Sequence, residues 1–383
     1  MRVLILESIS GLRQKIEPRL FPEGFAMLRA MTNEFSEAGF DVTSTLNRGI
    51  RDFEDWLNVD ELLHNDELDS AIKPKPDAAL IIAPDAEGEL EQITNKLREK
   101  RIPVLGAKGS SIRISRDKWK THNTLKQKVT QPTTWEIPPN AGESLVAKPR
   151  QGAGCEGIHL TSNRIHSPSG EMIFQEFIEG VHASSCLLTK GGESSVLSVN
   201  KQMITQNNHF KYWGGEIPFE NEQMEAQIEF SRKAAEALDL DGYCGVDFVI
   251  GDVPYFMELN PRITTSFVGL APILQANLGE LLINTLIEDN SPLKPRLRGC
   301  SIIKIPRVLR NVKLDVDKLK KLKQIPEIIS PPFAPNGRLA KGSPLFLAVG
   351  CDSNSRKAER KLESKIKRAI SSLGVDLNAV DWH

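Results

Sequence analysis

Gly245-Val246-Asp247-Phe248-Val249-Ile250-Gly251-Asp252-Val253-Pro254-Tyr255-Phe256-Met257-Glu258-Leu259-Asn260 reads as two β-strands around a tight turn. Both flanks are rich in β-branched and aromatic residues, and Gly251-Asp252 is a hairpin-turn pair. A two-residue turn sets Asp247 opposite Phe256. Side chains alternate along a strand, so Glu258 and Asn260 share the face of Phe256 and hence of Asp247. Three oxygen-bearing side chains then converge on one face of an otherwise apolar hairpin. Burying two carboxylates together is costly unless a cation neutralises them, and hard oxygen ligands of this kind suit Mg²⁺ beside nucleotide phosphates. A solvent-facing hairpin with ordinary polar residues is the competing reading. Arg262, just past Pro261, is placed to bind a transferring phosphoryl group.

Upstream, Val146-Ala147-Lys148-Pro149 reads as a strand end, and Arg150-Gln151-Gly152-Ala153-Gly154-Cys155-Glu156-Gly157 follows at once. Its glycines let backbone N–H groups approach phosphate oxygens without obstruction, and Lys148 supplies a point charge for the same phosphates. Alone, the segment would equally suit a flexible hairpin loop, since it is not a Walker A sequence. Glu171-Met172-Ile173-Phe174-Gln175-Glu176-Phe177-Ile178-Glu179-Gly180 reads as a strand leading into a bend. Such an edge can read adenine through backbone hydrogen bonds, with a carboxylate beyond it for ribose hydroxyls. An ordinary amphipathic strand has the same appearance.

The first hundred residues alternate strand and helix. Val3–Leu6, Asp41–Leu46, Ala78–Ala83 and Ile102–Leu105 are the expected strands, with helical spacing at Phe25, Leu28, Met31 and Phe35 and again from Glu87 to Lys100. That order argues for a parallel α/β sheet. Ser8-Ile9-Ser10-Gly11 after the first strand lacks G-x-G-x-x-G, which removes the main support for a dehydrogenase. Beyond residue 296, β-like runs at Ser301–Ile305 and Leu345–Val349 precede a helix from Ser355 to Leu373. That helix sets Ala358, Leu362, Ile366, Ala369, Ile370 and Leu373 against a basic opposite face, the usual pattern of a docked surface helix.

The 383 residues carry 49 Lys plus Arg against 50 Asp plus Glu, a net charge of −1, so no global field attracts nucleic acid or a membrane surface. The apolar run near the N-terminus is too short for a signal peptide core of roughly 7–15 residues, and no stretch reaches the ~20 of a membrane span. Five scattered cysteines without a C-x-x-C pair fit reduced thiols. A cytoplasmic protein is expected.

The hairpin, the glycine loop and the bend, in this order and with Ser115-Arg116-Asp117-Lys118 upstream, resemble the ATP-grasp carboxylate–amine ligases over residues 1–295. The resemblance implies an α/β ATP-grasp fold. Its parts would be a parallel-sheet pre-ATP-grasp lobe at 1–110 and an ATP-grasp domain at 111–295, with a nucleotide lid at about 118–180 and a metal and catalytic lobe at about 181–295. A small α+β lobe at 296–383 would follow. It implies ATP and Mg²⁺ as cofactors. Lys118 and Lys148 would bind phosphates, Gly152, Ala153 and Gly154 would close over them, and Gln175, Glu176, Phe177, Ile178 and Glu179 would hold adenine and ribose. Asp247, Glu258 and Asn260 match the metal ligands, with Arg262 and Lys201 as charge stabilisers, although Lys201 equally suits a surface position. One departure is His182, where many members carry a ribose-binding Glu; the ribose role would then pass to Glu179.

In this family ATP's γ-phosphate passes to a substrate carboxylate, and an amine attacks the acyl phosphate to form an amide. Pro22-Glu23-Gly24-Phe25, Tyr212-Trp213-Gly214-Gly215 and Asn260-Pro261-Arg262-Ile263-Thr264-Thr265-Ser266 look like the tyramine–glutamate ligases of methanofuran biosynthesis. That narrower similarity implies glutamate's γ-carboxylate and tyramine or a related amine as substrates. Gly214, Gly215, Thr264, Thr265 and Ser266 would line the acceptor side. The region around Asn336-Gly337 and Lys341-Gly342-Ser343-Pro344 is instead similar to the C-terminal lobe of carboxylases and of the ligase in pyrrolysine biosynthesis, which leaves the substrate pair open. A non-catalytic ATP-binding protein is the reading from another class. The expected partners are a small-molecule carboxylate and amine, with no nucleic acid and no membrane; the oligomeric state is not fixed, and a homodimer is kept in view.

Overall fold

A computed structural model of the chain describes all residues except 13–14, 65–67, 85–86, 139–143, 153, 162–170, 208 and 383. β1 (Arg2–Glu7), β2 (Asp41–Thr45), β3 (Glu61–Leu63) and β4 (Ala78–Ile82) form a parallel sheet in the order β3-β2-β1-β4. The unbroken Val3-Leu4-Ile5-Leu6 run suits a strand covered on both faces. Val3 and Ile5 enter one core, and Leu4 and Leu6 the other. Helix Phe21–Glu37 covers the first face with Phe25, Leu28, Met31 and Phe35, all fully buried.

Two strand expectations shift. Ile102–Leu105 is not a strand, because Pro103 has no N–H to donate and the segment makes a single parallel bridge, Ala79 to Val104. The fourth strand is β3 instead, a three-residue piece too short to stand out in the sequence.

The main sheet is antiparallel. β5 (Thr134–Trp135), β6 (Leu145–Pro149), β7 (His159–Thr161) and β8 (Met172–Glu176) form one end of it. β9 (Val181–Lys190), β10 (Glu193–Asn207), β11 (His209–Ile217), β12 (Gly242–Ile250) and β13 (Pro254–Asn260) form the other. Among the described residues one pair, His209 with His159, joins β11 to β7. β14 (Cys300–Lys304) runs along Gly214–Ile217 of β11. β15 (Arg307–Val308), β16 (Val312–Lys313) and β17 (Arg338–Leu339) are two-residue pieces. β18 (Ala348–Asp352) extends the main sheet beyond β14, and β19 (Val380–Asp381) pairs with β15. The C-terminal residues thus continue the large sheet.

The last helix, Ser355–Ser372, is capped by Asn354, whose side chain accepts from Lys357 N–H at 3.1 Å, and buries Ala358, Leu362, Ile366, Ala369 and Ile370 as its spacing requires. All five cysteines are free thiols. Among the described residues no helix is long and apolar enough to cross a membrane.

Candidate functional site

The β12–β13 hairpin carries the densest set of site residues, in a register other than the one its turn residues imply. Ile250 pairs with Pro254, so the turn has three residues, and the ladder slips between Asp247 and Phe248: Phe248 faces Phe256, whereas Asp247 faces Glu258. Asp247 is therefore not opposite Phe256. Met257 is the extra residue, a β-bulge that sends Phe256 into the core with Phe248 and Leu259 while turning Glu258 to the side of Asp247. The three oxygen-bearing side chains still share one face.

Their electrostatics follow from that register. Gln202 Nε2 donates to Asp247 Oδ1 at 2.8 Å, and Asn260 Nδ2 donates to Asp247 Oδ2 at 3.2 Å. Burial, and then the facing Glu258, push the Asp247 carboxyl up to about 7. A divalent cation would relieve both penalties. Among the described residues no cluster of three His, Cys, Asp or Glu forms a closed metal cage. Two carboxylates and an amide oxygen instead suit a hard cation that shares its remaining positions with phosphate oxygens and water, so the residues present fit Mg²⁺. Arg262 lies beside them, with Nη2 3.4 Å from Asn260 Oδ1 and Nη1 donating to Ile263 O at 3.1 Å.

Two lysines reach this face from the glycine-loop side. Asp117 caps helix Lys118–Leu125 by accepting from the N–H groups of Trp119 and Lys120, and it also holds Arg150 at 2.7 Å. That cap starts the helix at Lys118. Its Nζ lies 3.2 Å from Glu258 Oε1 and donates to Gly152 O at 3.1 Å. Lys148, at the end of β6, is half-buried; burial pushes its ammonium down to about 8 against the pull of Glu258. Gly154, at φ +68°, takes a backbone conformation that side chains disfavour, as a phosphate-approaching loop needs. Ala153 lies outside the described residues.

The hairpin side chains, Lys148 and Gly154 line a cavity of about 770 Å³, a size that takes a small-molecule ligand, whereas Lys118 and Gly152 are not on its wall and Lys118 meets the site only through Glu258. Lys148, Gly154, Gln175, Glu176, Phe177 and Ile178 are on its wall, as are Asp247, Glu258, Asn260, Arg262, Thr264, Thr265 and Ser266. Gln175 is buried, its Nε2 donates to Thr134 Oγ1 at 3.1 Å, and its Oε1 has no partner among the described residues. Thr265 donates to Glu23 at 2.6 Å, and Tyr243 and Thr264 share a 3.1 Å hydroxyl contact.

Other expected residues lie elsewhere. Glu179 is exposed and off the wall, whereas His182 is on it, 2.5 Å from Gln206 Nε2. Burial, then Lys148, push His182 down to about 4, so its imidazole is neutral. Lys201 is also off the wall, because alternation along β10 turns Gln202, Ile204 and Gln206 to the cavity and Lys201 away; its Nζ lies 5.9 Å from the Phe219 ring centre. Gly214 and Gly215 do not line the cavity. A Cβ at Gly214 would lie 1.9 Å from Ile303 O and one at Gly215 2.6 Å from Lys201 O, so both serve close strand packing. Gln202, Glu7 and Arg307 line the site without having been singled out for it from sequence, and Tyr212, which opens the Tyr212-Trp213-Gly214-Gly215 motif, lines it in place of Gly214 and Gly215.

Comparison with known proteins follows the same lines. Residues 115–266 match the ATP-grasp domain family ATP-grasp_3. A tyramine–L-glutamate ligase of Methanocaldococcus fervens is 30% identical over 289 residues, 73% of this chain and 92% of that protein. An ATP-grasp superfamily protein from Archaeoglobus fulgidus superposes with a TM-score of 0.68 at 25% identity, covering 91% of this chain and 98% of that one. The biotin carboxylase domain of the Hydrogenobacter thermophilus 2-oxoglutarate carboxylase, solved with MgADP, ADP and bicarbonate, has a TM-score of 0.69 at 15% identity, covering 96% of this chain and 89% of that one.

Proposed function

Because this chain belongs to the ATP-grasp carboxylate–amine ligase family, we propose that it joins the γ-carboxylate of L-glutamate to tyramine or a related amine, at the expense of ATP, in methanofuran-type biosynthesis. The single observation that carries the site assignment is the Asp247–Glu258 pair, with Lys118 reaching Glu258 from the glycine-loop side. Bound Mg²⁺ would neutralise phosphate charge and would be held by Asp247, Glu258 and Asn260. Lys118 and Lys148 hold the β- and γ-phosphates, and Arg262 offsets charge on the phosphoryl group in transfer. Gln175–Ile178 seat adenine, and neutral His182 takes the ribose end in place of Glu179. Thr264, Thr265 and Ser266 border the carboxylate and amine. Five unbridged thiols support a cytoplasmic setting.

In the reaction a carboxylate oxygen attacks the γ-phosphorus and ADP leaves. The amine nitrogen then attacks the acyl carbon, phosphate leaves, and the amine gives up a proton. A carboxylate oxygen is a poor leaving group and phosphate a good one, which is what ATP contributes. The residues' task is positioning and charge neutralisation.

A different amino-acid and amine pair is the second reading. It is favoured by Arg307 and Lys341–Ser343, which bring the C-terminal segment onto the same cavity wall. Release of ADP from glutamate paired with tyramine, dopamine, lysine or ornithine, with mass spectrometry of the product, tests both. A glutamyl–tyramine amide supports the first reading, and another amide the second. ATP binding with no turnover across the panel and wider amino-acid sets would favour a non-catalytic protein.

A further inference from the structure

A second group of cations borders the cavity, separate from the set assigned to phosphates. Arg307, from β15, lines the wall together with Lys211 of β11. Its Nη2 donates to Tyr212 O at 3.1 Å and its Nη1 to Gly342 O at 3.4 Å, while its buried Nε–H has no partner among the described residues. Two neutral carbonyls therefore orient the guanidinium, and no described carboxylate lies within ion-pair distance of it.

Lys211 Nζ and the Arg307 guanidinium carbon each lie 5.6 Å from the centre of the Trp213 ring, so one indole carries two cations. Burial, and then Arg307 and Arg19, push the Lys211 ammonium down, offset in part by Asp381; burial also lowers Arg307, offset in part by Glu23. Glu23 is already engaged by Thr265 at 2.6 Å. Taking a cation even partly out of water is costly, and here two half-buried cations are held close together on a cavity wall, with only the longer-range attraction of Glu23 and Asp381 to offset it. The arrangement becomes favourable when an anion enters. Arginine's planar fork, already oriented, matches a carboxylate better than a point charge would.

Building on the ligase reading above, we propose that Arg307, supported by Lys211, binds a second carboxylate of the substrate, distinct from the one that receives the phosphoryl group. The substrate class is then a dicarboxylate or a carboxyl-bearing amino acid. The C-terminal segment sets this preference.

The test compares glutamate with 4-aminobutyrate, which keeps the reacting carboxylate and lacks the other, in wild type, Arg307→Gln and Arg307→Lys. Wild type is expected to favour glutamate in kcat/KM by roughly 100-fold. Arg307→Gln raises the KM for glutamate by a similar factor, leaves the KM for ATP in place and erases the preference; Arg307→Lys recovers part of it. A full preference retained in Arg307→Gln overturns the proposal. Lys211→Gln, expected to give a smaller loss of the same kind, stands in if Arg307→Gln does not fold. Calorimetric titration of the whole chain with glutarate, butyrate and inorganic phosphate separates this idea from the ligase reading. Glutarate binding lost in Arg307→Gln supports the second-carboxylate site even without turnover. Equal binding of butyrate, or binding of phosphate alone, overturns it.

Discussion

Asp247 lies directly across the β12–β13 ladder from Glu258, and the bulge at Met257 is what brings the two carboxylates face to face. Each strand supplies one acid to a shared site, and the same irregularity keeps Phe256 in the core. Charge repulsion between the pair is offset by the hydrogen bonds that Gln202 and Asn260 donate to Asp247 and by the Lys118 ammonium beside Glu258.

Glu258→Gln tests that relationship. It removes one metal ligand and the partner of Lys118, so turnover with Mg²⁺ and ATP is expected to fall by about 100-fold or more. Folding stability should change little, since the like-charge contact with Asp247 and the ion pair to buried Lys118 are lost together. Steady-state ADP release alongside thermal unfolding checks both parts; near-normal turnover would remove the metal assignment.

Lys148 and Lys201 are expected to behave in opposite ways. Lys148→Ala deletes a half-buried cation on the cavity wall and should raise the KM for ATP by about tenfold or more. Lys201→Ala should leave kcat and KM within about twofold, because its side chain leaves the opposite face of β10. Kinetics of the pair decide the matter, and a large loss in Lys201→Ala would mean that the lysine swings into the site.

Gly214 is a structural position. Its φ of +140° disfavours any side chain, and a Cβ there would meet Ile303 O at 1.9 Å. Gly214→Ala should cost ~2 kcal/mol or more by prising β11 from β14. Denaturant unfolding measures this directly, and an unchanged midpoint would contradict it.

Glu34 gives a pH dependence. Burial pushes its carboxyl up to about 7, although Leu278 N–H donates to it at 2.5 Å. An unfolded Glu titrates near ~4.3. Between those values the folded chain holds a proton that the unfolded chain lacks, so this group's contribution to stability falls as pH rises through the window and levels off above 7. Glu34→Gln should flatten that part of the profile and be more stable at pH 8 by ~1–2 kcal/mol. Unfolding free energies at pH 5 and pH 8 test it; an unaltered slope would refute it.

Much of this architecture is legible in local patterns. The Val3–Leu6 run, the apolar stripe on Ser355–Ser372 and the carboxylates before Asn260 all follow from spacing and polarity. Local pattern does not reveal the extra residue at Met257, because a two-residue and a three-residue turn suit the same Gly251-Asp252-Val253 sequence. Nor does it set the phase of β10: Asn200-Lys201-Gln202-Met203 has no clear polar alternation, so Lys201 and Gln202 are exchanged unless the neighbouring strands are known. Arg307 reaches the site only through β14 and β15, a tertiary route with no local signature.

The central claim, that the γ-phosphoryl group of ATP activates a substrate carboxylate, is tested most directly with glutamate carrying ¹⁸O in its γ-carboxylate. Turnover with tyramine is followed by mass analysis of the released phosphate. The expected result is one labelled oxygen in each phosphate, with ADP and amide formed in equal amounts. Unlabelled phosphate alongside ADP, or AMP with pyrophosphate, would contradict it.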